Sequence, residues 1–385
     1  MTQVIFTERC DYMKVIAAID SFKGSMTSME AGNAVKKGIL AAKPDAEVVV
    51  NPLADGGEGT VDALIEGLGA EKIPVTVAGP LGEKVSCYYG FLEETKTAVM
   101  EMASAAGITL VTKKDPLRAS TYGVGEMIAD ALKRGCKNFM IGIGGSATND
   151  GGIGMLKALG FEFFDEDGND VGEGAAALAK IEVIRTENKN PLLSGTKFQI
   201  ACDVKNPLCG KQGATYIFGP QKGVTEEQKE QVDEAMRHYA DVTKESLDCD
   251  FADCEGAGAA GGLGYAFLSY LAGELIPGVE LILHATGLEE KMKNADVVVT
   301  GEGRLDAQTV MGKAPVGVAA LAKKYNAKVI AFAGSVAPEA SVCNQAGIDA
   351  FFPIVRGVTT LEEAMKKENA MENIAATAEQ VFRLL

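Results

Sequence analysis

Short, mostly apolar runs lie at 15–19, 47–50, 297–299, 329–332 and 350–354. Runs of that length predict buried strands. Amphipathic stretches at 28–42, 58–68, 315–325 and 360–372 predict helices, the last opened by Thr360 and Glu363 at capping-box spacing. Uniformly apolar strands alternating with helices imply a parallel sheet covered on both faces. Both ends of the chain carry this pattern. It predicts one discontinuous, flavodoxin- or Rossmann-like α/β domain from residues 13–78 and 284–385.

The middle reads differently. Residues 85–92 and 98–102 are strand-like, and the short link Glu93-Glu94-Thr95-Lys96 predicts an antiparallel hairpin. A helix at 123–134 and strands at 138–143 and 198–202 follow. Residues 225–239 are highly charged, with Val232, Met236 and Tyr239 marking one apolar helical face. An inserted mixed α/β domain is therefore expected over 79–283, with a ligand cleft between the domains. Residues 1–12 read as an N-terminal extension.

Composition narrows the partners. The 385 residues, 47% hydrophobic and 23% charged, suit a folded protein with a large core and two domains. Lys plus Arg is 37 and Asp plus Glu is 53, a formal charge of −16, which argues against a nucleic-acid partner. No apolar run is long enough for a convincing membrane span, and residues 1–12 lack the pattern of a secretory leader. The eight cysteines are scattered, without zinc spacing or a disulfide framework. A cytoplasmic protein is expected, either a monomer or a small homo-oligomer. The two histidines, His238 and His284, are poor catalytic candidates.

The candidate chemistry lies in loops that follow strands. Residues 142–152 form a glycine-dense stretch in which Gly144, Gly145, Ser146 and Thr148 can cradle phosphate through N–H and hydroxyl groups, with Asp150 facing magnesium. No lysine follows in the Walker A pattern, and the protein-kinase signature set is absent. After the first strand, Asp20 can orient metal or substrate, Lys23 can meet phosphate or carboxylate, and Ser21 or Ser25 can donate hydrogen bonds. In the loop 54–60, Asp55 can hold magnesium or accept a hydroxyl proton; Glu58 reads equally as a helix-start carboxylate. Glu302 and Asp306 supply metal-facing acids, with Gly301 at the loop start and Lys313 as a phosphate-facing cation. Asp203 and Asn206 form either a polar wall or a local turn. Gly258, within the glycine-rich segment 256–264, is nucleotide-facing or a packing residue. Arg118 neutralises a small acid's carboxylate or braces its loop.

These loops resemble those of bacterial glycerate kinases, the family that includes the glyoxylate- and galactarate-pathway enzymes. The resemblance runs from about 13 to 385. It is carried by Asp20-Ser21-Phe22-Lys23-Gly24, by residues 54–60 and 144–152, by Cys202-Asp203-Val204-Lys205-Asn206-Pro207-Leu208, and by Gly301-Glu302-Gly303-Arg304-Leu305-Asp306. It implies ATP-dependent phosphorylation of D-glycerate with magnesium (Mg2+), usually giving 2-phosphoglycerate. Composition and spacing do not specify that substrate. On this reading Asp55, Lys23, Asp203 and Lys313 are the catalytic candidates. Gly144, Gly145, Ser146, Thr148, Gly258 and Gly301 meet the nucleotide. Asp20, Ser21, Arg118 and Asn206 meet glycerate, and Asp150, Glu302 and Asp306 meet the metal. The alternatives are a glycerate 3-kinase, a kinase of another small hydroxy acid, or a non-catalytic sensor of nucleotide or small acid.

Overall fold

The computed structural model describes residues 12–53 and 60–385. In chain order the strands are β1 (Lys14–Ile19), β2 (Glu47–Pro52), β3 (Glu71–Ala78), β4 (Lys84–Leu92), β5 (Thr97–Glu101), β6 (Asn138–Gly142), β7 (Glu162–Phe164), β8 (Val183–Arg185), β9 (Lys197–Ala201), β10 (Glu274–Ile276), β11 (Val297–Leu305), β12 (Lys328–Val336) and β13 (Ala350–Pro353). The chain divides into two compact units, Met1–Asp55 with Leu283–Leu385, and Gly56–Ile282.

The first unit is a five-stranded sheet in the order β13-β12-β11-β1-β2, parallel throughout. Counting only its own strands along the chain, that order is 2-1-3-4-5, the flavodoxin-like arrangement. The apolar runs explain it. Val15 to Ile19 and Val298 to Val299 are fully buried, as strands covered on both faces require. The helix Ser28–Ala42 starts in a capping box, Glu30 N–H donating to Thr27 Oγ1 at 3.2 Å and Thr27 N–H to Glu30 Oε2 at 3.0 Å. It packs against the helix Lys367–Phe382 through Gly38, where a Cβ would lie 2.0 Å from the Ala375 carbonyl oxygen.

The helix expected over 360–372 is instead two helices, Leu361–Met365 and Lys367–Phe382. Thr360 caps the first, accepting from Glu363 N–H at 3.2 Å. Lys366 takes an extended ψ of 128, and Asn369 Nδ2 donates to the Glu363 carbonyl at 2.8 Å. That side-chain donor occupies a carbonyl at the break.

The second unit holds a mixed six-stranded sheet in the order β10-β9-β6-β5-β4-β3 and a small β7-β8 hairpin. β4 and β5 form the antiparallel hairpin expected from the 93–96 link. β3 pairs antiparallel with β4, placing Ile73 opposite Tyr89 and Val75 opposite Cys87. Residues 60–78 therefore belong with this unit, which moves the expected boundary at 78/79 upstream. The helix Glu226–Leu247 buries Val232, Met236 and Tyr239 as the sequence predicts. Phe139 and Phe198 stack at 4.7 Å across the neighbouring strands β6 and β9. Among the described residues no helix is long and apolar enough to cross a membrane.

Candidate active site

In the first unit the chain order reverses between β1 and β11, and open parallel sheets place ligands beyond the carboxyl ends of the strands at such a point. The two strand-end loops are tied together there: Asp20 N–H donates to the Gly301 carbonyl at 2.9 Å. The Asp20 side chain, 6% exposed, accepts from Ser21 N–H at 2.7 Å. The next residues turn tightly, with Ser25 N–H donating to the Phe22 carbonyl at 2.8 Å and Phe22 N–H to the Met26 carbonyl at 2.9 Å. Gly24 sits at φ +77 in that turn, in the left-handed region that a glycine enters without strain. The turn leaves Lys23 exposed.

β11 supplies the facing groups. Glu302 is 8% exposed and held from two sides, Thr309 Oγ1 donating to Oε1 at 2.6 Å and Lys313 Nζ to Oε2 at 3.2 Å. Burial pushes its carboxyl above the usual range, against the downward pull of Thr309 and Lys313. Asp306 lies 3.5 Å from Arg304 Nε and 4.0 Å from Lys313 Nζ, and accepts from Gln308 N–H at 2.9 Å. A cavity of about 550 Å³ is lined on this side by Asp20, Ser21, Lys23, Glu302, Arg304 and Lys313. The fold thus gathers five of the sequence candidates and adds Arg304 and, behind Glu302, Thr309. Arg304 was visible inside the 301–306 motif. Thr309 carries no local signal, because its role depends on how the chain returns to Glu302.

Gly301, expected to meet the nucleotide, is a close-packed position in the sheet. It is buried in β11, where a Cβ would lie 2.1 Å from the Phe332 carbonyl oxygen of β12.

The 142–152 loop belongs to the second unit. Gly144 and Gly145 are exposed. The chain then dives inward, with Ala147 N–H donating to the Ala106 carbonyl at 2.9 Å, and Thr148, Asn149 and Asp150 are fully buried. Asp150 accepts from Thr121 N–H and Thr121 Oγ1, each at 2.8 Å, and from the N–H groups of Gly152 at 3.1 Å and Gly154 at 3.3 Å. A carboxylate enclosed by four donors has no open side for a cation, so Asp150 is an anchor for the loop and not a metal ligand. Burial still pushes its carboxyl upward. Ser146 and Thr148, the other phosphate candidates of this loop, are both buried.

Beneath this loop lies a group the sequence did not single out. Lys222 is 2% exposed and donates from Nζ to the Thr148 carbonyl at 2.7 Å. Burial lowers its ammonium pKa to about 7, opposed by the charge of Asp150. Asn149 Nδ2 donates to Thr215 Oγ1 at 3.0 Å.

The remaining described candidates lie elsewhere in the second unit. Asp203 Oδ1 accepts from the N–H of Gly278, the first residue of the helix Gly278–Ala285, at 2.9 Å. Asn206 Nδ2 donates to the Gln212 carbonyl at 2.7 Å, which makes it a turn brace. Gly258 is buried with a Cβ position 2.2 Å from the Pro207 carbonyl oxygen, a closely packed glycine. Arg118 is exposed and lines a second-unit cavity of about 440 Å³ with Ser120, Tyr122 and Glu173. His238 meets the Ile181 carbonyl at 2.8 Å. Asp55 and Glu58 lie outside the described residues.

Comparison with known proteins gives the family. Residues 15–385 match the glycerate kinase family. The chain is 45% identical over 371 residues to glycerate kinase of Bacillus subtilis strain 168, covering 96% of this chain and 97% of that one. It is 45% identical over 372 residues to glycerate 2-kinase of Escherichia coli strain K12, covering 95% and 98%. A crystal structure from Salmonella typhimurium LT2, of a protein assigned as glycerate kinase 2, superposes with a TM-score of 0.89 at 42% identity, over 97% of this chain and 98% of that one. With sequence shared along almost its whole length and a fold shared as closely, the chain belongs to the glycerate kinase family.

Proposed function

We propose that the protein transfers the γ-phosphoryl group of ATP to the 2-hydroxyl of D-glycerate, giving 2-phospho-D-glycerate and ADP. The observation that carries this reading is the cavity at the β1/β11 strand ends, where Lys23, Arg304 and Lys313 stand with Asp20 and Glu302. Phosphoryl transfer depends mainly on positioning and on offsetting charge, and three cations beside one cavity meet that demand. The name of the Escherichia coli relative, glycerate 2-kinase, supports the 2-position.

Each group has a distinct task. Lys23 and Arg304 hold phosphate oxygens. Lys313, oriented by Glu302 and Asp306, offsets charge on the group in transfer. Asp55 accepts the proton of the attacking hydroxyl. In the second unit, the exposed N–H groups of Gly144 and Gly145 offer an anion contact.

Magnesium fits the donor set. It is held by one or two carboxylates together with substrate phosphates, and Asp20 and Glu302 supply two carboxylates at the cavity. Asp20 and Glu302 would hold the ion there, and it would offset phosphate charge. Use of ATP suits the cytoplasm.

Phosphorus NMR of the product formed from D-glycerate, ATP and magnesium tests the reading. The 2-phosphate is expected. A 3-phosphate would indicate the other regiochemistry, and nucleotide binding without turnover would indicate a sensor.

A further inference from the structure

The first-unit cavity is too large for glycerate alone. Its volume of about 550 Å³ lies within the range of roughly 300–1,000 Å³ that holds drug-sized ligands. A three-carbon acid fills a small part of it. The lining also carries two chemistries. Lys23, Arg304 and Lys313 supply cations, while Phe22, Ile354, Leu361, Ala364 and Met365 supply apolar surface, interleaved with Thr359 and Thr360.

Part of that apolar surface is open to solvent. Leu361 and Met365 stand four residues apart on one helix face, and Leu361 is 76% exposed. Large apolar side chains grouped at the rim of a cavity mark a binding surface more often than a passive one. The Met365 methyl reaches the turn at Gly24, where a Cβ would lie only 3.0 Å from it. The apolar surface therefore adjoins the loop that presents Lys23. An amphiphilic ligand with a polyanionic tail and a flat, weakly polar head matches these two chemistries, and the strand-end location is one that open α/β sheets use for nucleotides.

We propose that this cavity is the nucleotide site, with the phosphates at the Lys23, Arg304 and Lys313 end and the base against Leu361 and Met365. The inference rests on the ATP-dependent reading above. It moves the nucleotide away from the 144–150 loop and makes Leu361 and Met365 residues that bind the base.

Isothermal titration of the full chain with ADP and, separately, with inorganic tripolyphosphate tests it, using Leu361→Ser and Met365→Ser. Both positions are exposed, and tripolyphosphate binding reports in the same experiment that the phosphate end remains intact. Each variant is expected to weaken ADP about tenfold, the loss of one apolar contact, and to leave tripolyphosphate within about twofold. Photolabelling with 8-azido-ADP is expected to mark the segment 354–373. Unchanged ADP affinity in both variants, or equal weakening of ADP and tripolyphosphate, would overturn the placement of the base. A parent protein that binds neither probe and turns over no ATP would overturn the kinase reading with it; a parent that binds ADP while the variants match it removes the base placement alone.

Discussion

The Lys313 ammonium lies 3.2 Å from Oε2 of Glu302, joining a half-buried cation to a buried acid whose other oxygen is already bonded to Thr309. Each controls the other. Glu302 fixes where Lys313 points, and Lys313 helps keep the Glu302 carboxyl from rising further. Lys313→Ala is therefore expected to lower kcat by about 100-fold, the scale for losing one preorganised electrostatic contact. It also removes a cation that favours the ionised acid, so the acid limb of kcat/KM is expected to move to higher pH. Steady-state kinetics across pH check both, and an unmoved acid limb would uncouple Glu302 from the reaction.

Asp150→Asn separates anchoring from metal binding. The amide has one acceptor oxygen where the carboxylate has two, and its NH2 faces donors from Thr121, Gly152 and Gly154. A loss of about 1–3 kcal/mol is expected, from buried donors left without partners. Thermal unfolding should show it, while the magnesium concentration for half-maximal activity stays within about twofold. A raised magnesium requirement at unchanged Tm would restore Asp150 to the metal.

Lys222 gives stability a pH dependence of known sign. Burial holds its ammonium pKa down to about 7 in the folded chain, against the ordinary lysine value of about 10.5. Between these values the unfolded chain binds the extra proton, so stability rises with pH from about 7 towards 10.5. At 1.36 kcal/mol per unit the span is on the order of 5 kcal/mol at most. Denaturant unfolding at several pH values is expected to show the parent gaining on Lys222→Met over this window. Parallel curves would assign the buried proton elsewhere.

Two glycines contrast crowding with open space. Gly301→Ala puts a methyl 2.1 Å from a backbone oxygen, whereas nothing lies within 4 Å of a Cβ at Gly144. The first is expected to destabilise by about 1–3 kcal/mol and the second by less than about 0.5. For Gly144→Ala, the kinetics then report on its N–H contact without a folding defect.

The first-unit sheet was legible because β1 and β11 contain the apolar runs 15–19 and 297–299, the pattern of a strand covered on both faces. Their strand-end acids and lysines followed from the same runs. β3 was misplaced because its alternating residues announce a half-buried strand without naming its sheet. Asp150 was misread for a related reason. Its donors come partly from Thr121, 29 positions away, and a local motif holds no record of so distant a partner. Leu361 and Met365 were absorbed into a single helix whose break at Lys366 depends on Asn369 reaching back. Lys222 resembled any surface lysine until the fold enclosed it.

The pairing of β1 with β11 also orders events in time. Lys14 N–H meets the Asp296 carboxylate across 282 positions of chain, so the first strand made by the ribosome has β2 beside it early but waits for one of the last strands on its other edge. The second unit is continuous in sequence, so all of its strands exist before β11 is made. Catalytic competence thus arrives at the end of synthesis. A nascent chain stopped before β11 would carry a complete insert and no phosphate pocket, and would remain dependent on chaperones to shield its exposed strand edges.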